Sequence, residues 1–65
     1  MTPAEKGERY ARVFRKAGVF LGKGNIARAV EVLKQGQTLA QSLGDSAMAR
    51  RFGDEIARVT SPPSE

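Results

Sequence analysis

The sequence predicts an all-α domain of three helices in an antiparallel arrangement. Three observations carry that prediction. Apolar residues recur at spacings of three and four through most of the chain, which is the helical period. Two short joints, Gly24-Asn25 and Gly44-Asp45, combine a residue that ends a helix with one that begins the next. No run alternates apolar and polar residues as a half-buried strand would.

The first helix opens on Thr2-Pro3-Ala4-Glu5. Thr2 is suited to cap, Pro3 sits where its missing N–H costs nothing, and Glu5 is placed to reach back to the cap's own N–H. Tyr10, Val13, Phe14, Ala17, Phe20 and Leu21 then form one apolar stripe on a helix ending near Gly22, with Lys6, Arg9, Arg12 and Lys16 largely off it. Gly7 and Gly18 each cost about 1 kcal/mol relative to Ala in a helix interior. Because Gly18 lies beside the stripe, close approach of another backbone is the expected reason for it. The Tyr10 hydroxyl, near the helix start, is expected in water.

In Gly22-Lys23-Gly24-Asn25, a glycine suits the left-handed position after a helix and Asn25 suits the next cap. A turn this tight makes the flanking helices antiparallel neighbours. On the second helix, Ile26, Ala29, Val30, Leu33 and Ala40 share one face and Val32, Leu39 and Leu43 an adjoining one. An apolar face that wide marks a middle helix touching both others. Gly44 then ends helix two, Asp45 or Ser46 caps helix three, and Met48, Phe52, Ile56 and Val59 fall on a single face. The helices should run to about 19, 18 and 14 residues. Residues 1–59 make the domain, and 60–65 (TSPPSE) read as a disordered or extended tail.

Sixty-five residues form one small domain, and a chain of this size buries only about 60% of the surface its unfolded form exposes. Eleven Lys and Arg against seven Asp and Glu give a net charge of +4. The absence of Cys, His and Trp removes disulfides, Cys/His zinc sites, thiol nucleophiles and any triad with an imidazole base. Glu31, Asp54 and Glu55 are the carboxylates considered for acid/base work, but Asp54 and Glu55 are adjacent on a helix and point about 100° apart. Gly18 to Lys23 (GVFLGK) is one residue short of a phosphate-binding loop and has no preceding strand. The sequence therefore predicts no enzyme, no cofactor and no metal. Its longest apolar stretch, Ala17 to Leu21, is too short to span a bilayer, and Glu5 and Glu8 argue against a transit peptide. A cytoplasmic protein is expected.

Val13 to Ala40 resembles a tetratricopeptide repeat, a helical hairpin of about 34 residues that stacks into solenoids. Ala17 and Phe20 match the small and aromatic positions of that family's first helix. Gly24-Asn25 match its turn, Ile26 the apolar residue after it, and Ala29 the small residue where the helices approach. Leu33 and Gly36 match the large and small packing places further along. A second partial match lies at Ala49 to Ile56, with Phe52-Gly53 and Ile56, 36 residues on from Ala17 to Gly53. The connector Leu39-Ala40-Gln41-Ser42-Leu43-Gly44-Asp45 resembles the LAxxLGD junction of longer-period repeats in bacterial regulators and cytoskeletal adaptors. The resemblance covers about 50 of the 65 residues and amounts to one and a half repeats, whereas stable arrays need about three. Val13 departs from the usual bulky aromatic and Lys16 from the usual Leu, which makes the first helix an atypical, capping version. A helical hairpin with a third packing or capping helix is the fold the resemblance implies.

In that family, peptides lie in the groove lined by the first helix of each repeat. The resemblance then implies a partner-binding face of Phe14, Arg15, Gly18 and Leu21 from helix one with Arg50, Arg51 and Asp54 from helix three. Guanidinium groups on an apolar groove suit carboxylates, because they pair bidentately, so the implied partner is a protein with an acidic segment. Plain solvated surface charge is the competing account of the same arginines. An unfinished stack also predicts a homodimer. The alternative function is a small DNA-binding regulator, since Leu39 to Arg51 superficially resembles a helix-turn-helix with arginines on its second helix. Asp45 after the turn glycine, Arg50 at a core place, and Asp54 and Glu55 on the would-be recognition helix weigh against it. A membrane-surface role for helix one conflicts with the need of its apolar stripe to cover helix two.

Overall fold

The structure, a computed structural model, describes residues 1–61. It contains three helices, α1 (Pro3–Gly22), α2 (Ile26–Ser42) and α3 (Ser46–Thr60), and no strand among the described residues. Their lengths of 20, 17 and 15 residues lie within a residue of expectation. Thr60, read as the first residue of the tail, is the last of α3, where its hydroxyl donates to the Ile56 carbonyl at 2.7 Å. Ser61 follows as the C-cap in an extended conformation, and the rest of the tail reading, at 62–65, lies outside the described residues.

Each helix begins on the side chain expected to start it. The Thr2 hydroxyl accepts from the Glu5 N–H at 3.1 Å, with Pro3 in the first turn, so the hydroxyl half of the capping box forms. Asn25 accepts from Arg28 N–H at 3.2 Å. Asp45, rather than Ser46, caps α3 by accepting from Met48 N–H at 3.2 Å.

Both joints use one device. Gly24 and Gly44 occupy the left-handed region at φ +75° and +70°. At the first joint Asn25 N–H donates to Phe20 C=O at 2.9 Å and Gly24 N–H to Leu21 C=O at 3.0 Å. At the second, Asp45 N–H donates to Ala40 C=O at 2.8 Å and Gly44 N–H to Gln41 C=O at 3.1 Å. This paired pattern satisfies carbonyls that a helix end leaves orphaned, and it needs a residue with no Cβ penalty at the positive φ. The Asx residue that closes one helix also caps the next, so each reversal takes three residues.

The antiparallel order places α2 in the middle, packed against both other helices. No Cα of α1 comes within 8 Å of a Cα of α3. Ala29, Val32, Leu33, Gly36 and Ala40 are buried on α2, Tyr10 and Ala17 on α1, and Phe52 on α3. Aromatic rings bridge the outer helices over α2. The Phe52 ring, fully buried, stacks on Phe14 at 4.6 Å between centroids and meets the Tyr10 ring edgewise at 5.8 Å.

That ring has a seat on α2. A Cβ added at Gly36 would lie 2.6 Å from two Phe52 ring carbons and 2.8 Å from a Val13 methyl, so only glycine fits beneath it. Gly53 similarly leaves room for Gln37, whose amide donates to the Ala49 carbonyl at 3.1 Å. The reason expected for Gly18 is corrected. It is exposed and a Cβ there would meet nothing within 4 Å, because it sits past the edge of the stripe.

Candidate functional site

The face shared by α1 and α3 is built on Phe14. One side of its ring stacks on Phe52, and the guanidinium of Arg51 lies 5.4 Å from its centroid. A guanidinium over an aromatic face gains about 0.5 to 1 kcal/mol at an exposed site. It also keeps its N–H donors free at the rim. Leu21 lies half-buried further along α1, while Arg15 and Gly18 are exposed beside them.

Arg50 and Asp54 are exposed on α3, two residues before and after Phe52. Two residues turn a helix by about 200°, so both side chains leave from the side opposite that core ring. Of the three arginines expected to converge, the structure thus brings Arg51 to α1 and puts Arg50 on the solvent side of α3. Arg15, Arg50, Arg51 and Asp54 take part in no ion pair or side-chain hydrogen bond among the described residues.

At the end of this face, Asp45 ties three elements together. Besides capping α3, its carboxylate accepts from the Tyr10 hydroxyl at 3.1 Å and pairs with Lys6 Nζ at 3.2 Å. The Met48 N–H, with further help from Lys6 and Tyr10, holds the Asp45 carboxyl below its usual range, against a desolvation that works the other way. Burial, with the Asp45 bond and charge, pushes the Tyr10 phenol up. The expectation that this hydroxyl stays in water is overturned: Tyr10 is 5% exposed and a buried phenol needs a partner, which Asp45 supplies. Neither residue's spacing announces the other, since they lie 35 positions apart.

A concavity lies on the opposite flank of α1. Val13, Val32 and Leu39 floor an open groove of about 370 Å³ between α1 and α2, and Arg9, Arg12 and Lys16 stand along one wall. In the sequence these cations fall largely off the apolar stripe. The signal was present in their spacing of three and four around Val13, but which flank α3 leaves open is a property of the packing.

Among the described residues no group of three His, Cys, Asp or Glu side chains is placed to hold a metal ion. No described helix is long and apolar enough to cross a membrane. Compared with known proteins, the chain matches no family model, no curated protein and no solved structure.

Proposed function

We propose that this chain is a small non-catalytic protein-interaction module that binds an acidic peptide segment along the face shared by α1 and α3. The observation that carries the reading is Arg51, held over the Phe14 ring with no carboxylate among the described residues engaging it. Such a guanidinium is pre-oriented, so less side-chain entropy is lost when it pairs bidentately with an incoming carboxylate. Phe14 supplies apolar contact under it, Leu21 adds apolar surface about two helical turns further along α1, and Arg15 adds charge next to Phe14. The tetratricopeptide-like order of Ala17, Phe20, Ala29, Leu33 and Gly36 supports the same face. We place the module in the cytoplasm, acting as an adaptor, and expect it to self-associate.

The test is calorimetric titration of the chain with a synthetic Glu-rich peptide. Saturable binding that Arg15→Glu/Arg51→Glu abolishes supports the reading. Unchanged affinity in that double variant refutes it. A gel shift with duplex DNA at two salt concentrations addresses the DNA-binding alternative, because phosphate contacts give a steep salt dependence. Tighter binding to the duplex than to the peptide would favour the regulator.

A further inference from the structure

The groove on the other flank of α1 has a chemistry of its own. Gln37 on α2 reaches α3, whereas Gln35 lines the groove, and two residues turn a helix by about 200°. The groove therefore faces away from α3 and away from the Phe14–Arg51 face. Its floor is apolar, with Val32 buried and Val13 and Leu39 half-buried. Arg9 and Lys16 are exposed and enter no ion pair among the described residues, while Arg12 pairs with Glu8 at 3.7 Å in full solvent. Three cations thus border a trough with an apolar floor, and no anion among the described residues lines it.

We infer that this α1–α2 groove binds an acidic amphipathic helix from a protein partner. Arg9, Arg12 and Lys16 stand at i, i+3 and i+7, which spreads them over about 10 Å at the helical rise. A partner helix laid along α1 repeats its own side chains at the same intervals. Carboxylates at i, i+3 and i+7 meet the three cations, and an adjoining apolar stripe enters the trough over Val13, Val32 and Leu39. The charge pattern and the floor select this occupant over others. None of the four aromatic residues lines the groove, so bases have no platform on which to stack. The floor is recessed between two helices, which a lipid surface does not enter. A second copy of a chain with net charge +4 brings mostly repulsion to a cationic rim.

Fluorescence anisotropy with the full chain tests the proposal. The probe is a labelled synthetic helical peptide carrying Glu at i, i+3 and i+7 beside a stripe of Leu. Saturable binding is expected. Arg9→Glu/Lys16→Glu, both at exposed positions that leave the core untouched, is expected to weaken it by at least about tenfold. Lys34→Glu/Arg58→Glu, exposed on α2 and α3 outside the groove lining and outside the α1–α3 face, is expected to leave it unchanged. A control peptide with Gln in place of Leu and the same charge is expected to bind at least about tenfold more weakly.

Several results overturn the proposal: no binding, equal binding of the control peptide, or insensitivity to Arg9→Glu/Lys16→Glu. Sensitivity to Arg15→Glu/Arg51→Glu alone moves the peptide to the α1–α3 face and leaves that reading standing. Duplex DNA or phosphatidylserine vesicles binding more tightly than the peptide, with loss in the Arg9→Glu/Lys16→Glu variant, would assign the groove to a polyanion or a lipid surface instead.

Discussion

Gly36 and Gly18 lie in helix interiors, and the same substitution acts in opposite directions at the two. Against Gly36 the Phe52 ring is fully buried, so a methyl placed 2.6 Å from it and 2.8 Å from Val13 pushes α3 and α1 away from α2. Gly36→Ala should lower stability by about 1 to 3 kcal/mol despite its gain in helix propensity. Gly18 meets nothing within 4 Å, so Gly18→Ala should raise stability by up to about 1 kcal/mol. Urea unfolding of both variants checks the pair, and a fall in midpoint for each would contradict the packing described. Phe52→Ala removes the ring that alone connects Phe14, Tyr10 and Gly36, and should cost about 3 to 5 kcal/mol. A domain of this length has roughly 3 to 10 kcal/mol in total, so a lost or strongly weakened unfolding transition by circular dichroism is the expected result. Phe52 was legible as core from its spacing with Met48 and Ile56. Its seat on Gly36 was not, because a contact across 16 positions leaves no periodic trace.

The joints are the elements that set the chain's direction. Gly24 and Gly44 sit at positive φ, where an L side chain costs about 1 to 2 kcal/mol. Asn25→Ala should cost about 1 kcal/mol by removing the acceptor for Arg28 N–H. The second joint also titrates. Asp45 has a depressed folded pKa, so the stability it contributes is present above the unfolded carboxyl value of about 3.9 and is lost as pH falls through the folded value. Asp45→Asn should therefore melt below the parent at pH 7, and the gap should close in acid. Thermal melts at pH 7 and pH 2.5 decide this; a constant gap would show that the carboxylate's charge contributes nothing. The caps and glycines were readable from local chemistry alone, since each bond spans three to five residues. The clasp of Asp45 on Lys6 and Tyr10 was not, because it forms only after α1 and α3 are set side by side on α2.

For the whole molecule, three helices with a single shared aromatic cluster imply fast folding, because most contacts are local and loop-closure costs are small. The two flanks of α1 differ in the partners they suit. One offers Phe14, Arg51 and Leu21 beside α3; the other offers Arg9, Arg12 and Lys16 above an apolar floor on α2. We expect self-association of so short a stack, and light scattering on a size-exclusion column tests it. A monomer that melts cooperatively above about 60 °C, near the top of the ordinary range for such domains, would remove the need for a mate.

Helix number, order and ends followed from the sequence itself, because period, caps and left-handed glycines act over a single turn and their residues are neighbours in the chain. The sequence likewise set the excess of positive charge and the range of chemistry open to the side chains. Tertiary structure alone decided that Arg51 lies over Phe14 while Arg50 points outward, that Gly36 rather than Gly18 is the close contact, and that one flank of α1 stays open. Those outcomes depend on the rotation of each helix about its axis. That rotation is fixed where the Phe52 ring descends onto the bare backbone of Gly36, far from either residue's neighbours in sequence.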